Sequence, residues 1–246
     1  MNSKKIAIVT GAAKGIGKAI VERFVKDKYF VVAVDVDSEN GNNLLTEYGK
    51  ENVFFVKADI CSEADVKNLF EKVKTDYQRI DVLVNNAGII RDNMIWNMPV
   101  EDFDLVINVN LKGTWLLCRE AAKQMKVQNF GRIVNIASRA WLGNRGQSNY
   151  SASKAGVVGM TRVLALELGR YNVCVNAVAP GLIDTPLSQK LEKDVLQKLI
   201  DAQPTRTMGK PADVANAVAF LASDATQFIT GQTIYVDGGK SIGAGI

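Results

Sequence analysis

The sequence predicts a single α/β domain built on a doubly wound parallel sheet, and three observations carry that prediction. Short runs rich in Val and Ile recur along the chain, and they are continuously apolar rather than alternating, the mark of strands covered on both faces. Longer stretches with helical character separate them. No linker rich in Gly, Pro or Ser and no internal repeat interrupts this alternation over the 246 residues. Strand-helix-strand repetition of this kind gives right-handed crossovers and a parallel sheet with helices on both sides.

In order, strands are predicted at 5–10, 30–35, 53–57, 82–85, 132–137, 173–178 and 233–236, and helices at 15–28, 63–78, 100–127, 147–169 and 212–223. The first strand runs into a Gly-rich turn, the second ends on Asp35, and the fourth ends in Asn85-Asn86-Ala87-Gly88. The stretch 184–202 follows the sixth strand with a helical pattern and is expected to form a lid over substrate. The whole of 1–246 is read as one domain that binds a dinucleotide and carries the catalytic groups.

Composition narrows the function. Hydrophobic residues make up 47% and charged residues 23%, ordinary values for a domain with a real core. The net charge of +4 comes from 30 basic and 26 acidic residues with no basic block, which argues against a nucleic-acid partner. Cys61, Cys118 and Cys174 lie far apart without a C-x-x-C pair, which argues against a disulfide framework and a zinc site. The chain has no histidine, so Ser-His-Asp, Cys-His and His-ligated metal chemistry are excluded, and no metal is expected. Acid/base work falls to Tyr, Lys, Asp, Glu or Cys. The start, Met1-Asn2-Ser3-Lys4-Lys5, leads into too short an apolar run for a signal peptide, and no run approaches membrane-spanning length. A cytoplasmic protein is expected.

The turn Gly11-Ala12-Ala13-Lys14-Gly15-Ile16-Gly17 lies between the first strand and a helix, the context in which a glycine turn holds a pyrophosphate. Gly11 permits the turn; Gly15 and Gly17 let a phosphate approach the backbone. Asp35 stands about 20 residues on, where a carboxylate accepts hydrogen bonds from a ribose 2′-hydroxyl and repels a 2′-phosphate, as the dinucleotide-binding pattern places it. NAD(H) is therefore expected over NADP(H). Lys14 pulls the other way as a candidate partner for a 2′-phosphate, or is simply a solvated turn lysine. Asp59 follows the third strand and either accepts a bond from an adenine or forms a turn. Ile16 and Ile60 join the candidate cofactor contacts.

Further along, Asn86, Ala87 and Gly88, then Asn110, Ser138, Tyr150 and Lys154, lie at or beyond the carboxyl ends of strands, where an open α/β sheet binds ligands. Tyr150 and Lys154 are four apart on a helix and share a face. A nearby ammonium favours phenolate, which makes Tyr150 a usable base for an alcohol and, in reverse, an acid for a ketone. Ser138 can donate to the reacting oxygen. Asn110 either satisfies backbone groups inside a kinked helix or holds a water that links Lys154 to solvent.

Taken together these motifs resemble the short-chain dehydrogenase/reductase family over essentially the whole chain. The resemblance implies a Rossmann fold with seven strands ordered 3-2-1-4-5-6-7 and a nicotinamide cofactor. It implies a catalytic tetrad of Asn110, Ser138, Tyr150 and Lys154. It also implies a nicotinamide-side loop of Pro180, Gly181, Ile183 and Thr185. Several stretches resemble the 3-oxoacyl-(acyl-carrier-protein) reductase branch: 85–93 (NNAGIIRDN), 146–150 (GQSNY), 175–181 (VNAVAPG), 215–224 (ANAVAFLASD) and 228–239 (FITGQTIYVDGG). That branch usually takes NADPH, from which Asp35 departs. It docks an acidic carrier through basic residues, where this chain has Asn129 and Tyr171 with Arg132 and Arg170 adjacent. The expected substrate is an acyl thioester on a carrier protein or coenzyme A, or alternatively a small or cyclic secondary alcohol. Trp141 and Leu142 either wall an apolar pocket or pack under a loop; Arg91 and Met94 lie near the entrance with no role assigned. Small residues Ala152, Ala155, Gly156 and Gly159 on the Tyr-Lys helix, with the family resemblance, imply a homotetramer.

Overall fold

The computed structural model describes residues 4–242; Met1-Asn2-Ser3 and the segment 243–246, the two ends of the expected domain, lie outside the described residues. Seven strands form one sheet: β1 (Ile6–Thr10), β2 (Phe30–Asp35), β3 (Val53–Lys57), β4 (Val82–Asn85), β5 (Gly131–Ile136), β6 (Val173–Pro180) and β7 (Thr233–Val236). All pairs are parallel and the order is β3-β2-β1-β4-β5-β6-β7, a doubly wound Rossmann arrangement. The order reverses between β1 and β4, so the crevice beyond their carboxyl ends is the natural ligand site.

The helices are α1 (Gly15–Lys26), α2 (Ser38–Tyr48), α3 (Glu63–Tyr77), α4 (Val100–Ile107), α5 (Thr114–Gln128), α6 (Ser148–Leu168), α7 (Lys193–Asp201) and α8 (Pro211–Ala222). Successive strand residues point to opposite faces. Ile8, Val32, Leu83 and Ile133 pack with Leu69, Phe70, Leu117 and Met125 of α3 and α5. Ala7, Val9, Val84 and Val134 pack with Ile20, Phe24, Val214 and Leu221 of α1 and α8. Both faces of the sheet are dry, which is why its strands carry no polar alternation.

Two elements differ from the sequence expectation. Helix α2 was not anticipated, because it buries only Gly41 and Leu44 in a polar stretch and begins on a cap, Asp37, whose carboxylate accepts from the Asn40 N–H at 3.1 Å. The single helix expected at 100–127 is interrupted by a wide π turn, Asn108–Gly113, between α4 and α5. Backbone dihedrals are helical at both its ends, Ile107 and Asn108 on one and Gly113 and Thr114 on the other, so the periodicity of the sequence gives no sign of the interruption.

Within 184–202, a short turn at Ser188–Lys190 precedes α7, and no residue of α7 is buried. Among the described residues no helix is long and apolar enough to cross a membrane. Arg132, a neighbour of the expected carrier-docking positions, is only 1% exposed and donates to the carbonyls of Gly131, Asn172 and Ser223. It belongs to the packing at the start of β5, not to a docking surface.

Candidate active site

The Gly-rich turn and the loop after β4 form one piece. Thr10 closes β1, and its hydroxyl accepts from the N–H groups of Asn86 and Ala87 at 3.1 Å each. The Asn86 amide donates to the carbonyls of Thr10 and Gly11 at 3.0 Å each. Gly11 has φ +61°, and a Cβ there would lie 2.8 Å from the Ala87 Cα. A Cβ on Gly17 would lie 1.9 Å from the Gly11 carbonyl oxygen, so only glycine lets α1 start this close to β1.

The start of α1 is bare. Lys14 at its N-cap makes no side-chain cap and the first turn carries no acid, whereas Asp37 caps α2 and Ser62 caps α3. Free N–H groups and the positive end of the helix dipole are what an anionic pyrophosphate requires, so these residues fit a dinucleotide.

Asp35 ends β2, with its carboxylate accepting from the N–H groups of Ala13 and Asp37 at 3.0 Å each. Lys14 is paired with Asp37 at 2.6 Å. The hydrogen bond to that ammonium holds the Asp37 carboxyl down at about 2, and the same bond raises Lys14. Asp37 escapes sequence reading because its partner lies on another element and the helix it caps was itself not anticipated. Asp59 is exposed and accepts from the Cys61 N–H at 2.9 Å, which makes it a turn former. Ile60 is buried and packs where a Cβ on Gly113 would lie 2.8 Å from its side chain.

Beyond β5, Ser138 caps a short turn, Arg139–Leu142, by accepting from the Ala140 N–H at 3.1 Å. Tyr150 and Lys154 come from the first turns of α6, with the Lys154 Nζ 5.7 Å from the Tyr150 ring centroid. Lys154 is 4% exposed and donates to the Ile136 carbonyl at 2.8 Å; burial lowers its pKa to about 8. Burial also pushes Tyr150 up; a hydrogen bond from Ser138 pulls it back, and the charge of Asp92 raises it further. The Lys154 ammonium is held on the Ile136 carbonyl while it stays beside the Tyr150 ring.

Asn110 sits in the π turn, fully buried. Its side chain accepts from the Ile89 N–H at 2.8 Å and donates to the Ile89 carbonyl at 3.0 Å and to Ser153 at 3.2 Å. A Cβ on Gly88 would meet both Asn110 Oδ1 at 3.1 Å and Lys154 Nζ at 3.5 Å. Asn110 thus fixes the Asn-Asn-Ala-Gly loop against the residues around Lys154.

These groups open on a cavity of about 740 Å³. Asn86, Gly88, Ser138, Tyr150 and Lys154 line it, together with Ile16, Pro180, Gly181, Ile183 and Thr185. Gly11, Lys14, Gly15, Gly17, Asp35, Asp59, Ile60, Ala87 and Asn110 stand outside its wall. The loop after β6 returns to the Gly-rich turn: a Cβ on Gly15 would lie 3.6 Å from Thr185, and a Cβ on Gly181 would lie 2.7 Å from Asp237.

The cavity wall also includes residues not picked out from the sequence. Gln147 donates to both carboxylate oxygens of Asp92, at 3.1 and 3.0 Å, and accepts from Asn144 at 2.9 Å. This staples the loop after Ser138 to the loop after β4; Gln147 lies inside GQSNY and Asp92 inside NNAGIIRDN, but neither was singled out by itself. Trp141 packs in a small cluster with Ala137, Val157 and Val158, and Leu142 is exposed; neither lines the cavity. Arg91 lies 3.7 Å from Asp102, and neither it nor Met94 lines the cavity.

Comparison with known proteins places the whole chain. A family model described as enoyl-(acyl carrier protein) reductase spans residues 11–241. The chain belongs to the short-chain dehydrogenase/reductase family. It is 47% identical over 98% of each chain to (2S)-((R)-hydroxy(phenyl)methyl)succinyl-CoA dehydrogenase subunit BbsD of Thauera aromatica. It is 44% identical to the 3-oxoacyl-(acyl-carrier-protein) reductase FabG of Thermotoga maritima, over 97% of this chain and 98% of the relative. A crystal structure of levodione reductase superposes with a TM-score of 0.92 at 32% identity, over 97% of this chain and 98% of the other. The protein is an oxidoreductase of a family that uses NAD(P)(H) and acts on CH–OH groups.

Proposed function

We propose that the protein is an NAD(H)-dependent enzyme that interconverts a 3-oxoacyl thioester and its 3-hydroxy form. The observation that carries this reading is the placement of Ser138 and Tyr150 on the wall of a cavity that Leu187, Leu191 and Leu199 also line. The likeness to a succinyl-CoA dehydrogenase subunit and to a 3-oxoacyl reductase supports the thioester. Coenzyme A is favoured over a carrier protein because Asn129 and Tyr171 are uncharged and, of the two adjacent arginines, Arg132 is buried in the sheet and Arg170 alone is exposed.

NAD(H) is favoured over NADP(H) on charge. A 2′-phosphate beside Asp35 would face a carboxylate, and the nearby cation, Lys14, is already paired with Asp37. When bound, the nicotinamide gives or takes the hydride. The N-terminus of α1 with Gly11, Gly15 and Gly17 would hold the pyrophosphate, and Asn86, Ala87 and Gly88, with Pro180, Gly181, Ile183 and Thr185, would hold the nicotinamide half. Ser138 donates its hydroxyl hydrogen to the substrate oxygen. Tyr150 gives its proton to that oxygen during reduction and takes it back during oxidation. Lys154 places a cation near the phenol, and Asn110 holds Ile89 and Gly88 in register behind it. Segment 184–202 acts as the substrate lid.

We assign the assembly as a homotetramer. Gly156 is used within the chain, since a Cβ there would meet Leu111 at 2.8 Å, but among the described residues a Cβ on Gly159 would meet nothing beyond its own helix within 4 Å. On the same helix Ala155 is exposed and Leu166 is 86% exposed, an apolar face suited to a second copy. A monomer in sedimentation at micromolar concentration contradicts this. Free thiols at all three cysteines accord with a cytoplasmic location.

The second reading, a dehydrogenase of a small or cyclic secondary alcohol, is favoured by the levodione reductase likeness, a name with no thioester in it. A substrate panel separates the two. Acetoacetyl-CoA and longer 3-oxoacyl-CoA esters turning over with higher kcat/KM than simple ketones supports the thioester; the reverse order supports the alternative.

A further inference from the structure

The cavity beside Ser138 carries more positive charge than hydride exchange with a ketone requires. Arg139, Arg145, Lys154 and Lys240 line it against one acid, Asp92. Most of these charges are already engaged: Lys154 with the Ile136 carbonyl, Lys240 with the Ala202 carbonyl at 2.8 Å, and Asp92 with the Gln147 amide. The two arginines are not. Neither is ion-paired among the described residues, and the Nε of Arg139 is shut away from solvent with no hydrogen-bond partner. A guanidinium with no counter-ion on a cavity wall is costly, and since its Nε is occluded, the terminal Nη pair of its planar fork is the part left to match a carboxylate.

We propose that Arg139, with the exposed Arg145 on the same loop, seats a carboxylate carried on the acyl part of the substrate. On the thioester reading above, on which this rests, the substrate class becomes a 3-oxo dicarboxylic acid held as its monothioester. Location favours the acyl group as the source of the anion. Arg139 directly follows Ser138, whose hydroxyl meets the reacting oxygen, so its guanidinium is within one side chain's reach of the reacting carbon. The phosphates of coenzyme A stand a whole pantetheine arm away.

The test compares 3-oxoadipyl-CoA with 3-oxohexanoyl-CoA, which have the same chain length and differ by a terminal carboxylate. The wild type should prefer 3-oxoadipyl-CoA by at least about tenfold in kcat/KM, the scale of one charge-assisted fork. The preference should fall toward one in the Arg139→Gln/Arg145→Gln double variant, through KM. Arg139→Lys, which keeps the charge and loses the fork, should fall between. The preference should persist with N-acetylcysteamine thioesters of the same acids, which lack the coenzyme phosphates.

A wild type that turns over 3-oxohexanoyl-CoA at least as well as its partner overturns the subsite and leaves the thioester reading standing. So does a preference that survives the double variant, or one that vanishes with the N-acetylcysteamine thioesters. Failure to turn over either coenzyme A ester while NADH binds overturns the thioester reading itself, and the subsite with it.

Discussion

The two walls of the active cavity are built on different principles. On the cofactor side, α1 buries Gly17, Ile20, Val21 and Phe24, and the turn before it is stitched to β4 by Thr10 and Asn86. On the substrate side, α7 buries nothing, and Leu191, Val195 and Leu199 stay substantially exposed. The first wall is finished before any ligand arrives. The second has no core of its own and is drawn from the low-stability end of the fold, as elements that close over ligands are. The contrast suits a chemistry that needs one fixed hydride geometry and a separate surface fitted to the substrate.

The largest expected effect removes the group between the walls. Tyr150→Phe should lower kcat by roughly a thousandfold in both directions, within the span of general acid–base catalysis, while NADH still binds by fluorescence titration. Retained turnover would break the assignment of the proton to Tyr150.

The next test sets one wall against the other. Gly17→Ala forces a Cβ onto the Gly11 carbonyl oxygen and should weaken NADH binding by about a hundredfold, the cost of a few kcal/mol of backbone clash at a rigid site. Leu199→Ala on α7, the proposed lid, should change only the KM for the acyl substrate, and only a few-fold, because a half-exposed leucine has little burial to lose. Similar effects of both variants on cofactor binding would erase the distinction. Hydrogen exchange sharpens it: amides of 193–201 should exchange much faster than those of β1 in the free protein and slow when cofactor and substrate are both present.

A smaller effect comes from the nucleotide end. Asp37→Ser keeps a cap for α2 but frees the Lys14 ammonium, so the ratio of kcat/KM with NADPH to that with NADH should rise by about tenfold, the scale of a gained charge-assisted contact. No change would mean that Lys14 does not reach the 2′ position.

The smallest effect is in pH dependence. Alcohol oxidation needs the Tyr150 phenolate, so its rate rises with pH through the Tyr150 pKa, and ketone reduction falls across the same limb. Asp92 raises that pKa and Ser138 lowers it. Asp92→Asn should therefore move the limb to lower pH, and Ser138→Ala should move it to higher pH besides slowing the reaction. Shifts of the opposite sign would show that neither group acts on the phenol as described.

The strands and the cofactor turn were legible because their signals are local: a dry sheet writes continuous Val and Ile, and a helix packed on a strand end writes glycine. The strand order came from family resemblance, since no local pattern encodes it. What was not legible is long-range or silent in periodicity. Helix α2 buries too little to show a stripe. The π turn at Asn108–Gly113 has helical dihedrals at both ends and so hides inside one long helix. Asp92 meets Gln147 from 55 residues away, and Lys14 meets Asp37 across the β1–β2 crossover, so neither pair declares itself in sequence. Arg132 looked like surface charge beside a docking position because burial of a cation leaves no local mark.

The most direct test of the functional account is the initial rate of acetoacetyl-CoA reduction, with NADH and NADPH in parallel. Asp35 and the Lys14–Asp37 pair predict turnover with a clear preference for NADH. Preference for NADPH would contradict the assignment of Asp35 as selector, and no turnover with either cofactor despite detectable NADH binding would contradict the thioester reading and move the substrate to an unrelated secondary alcohol.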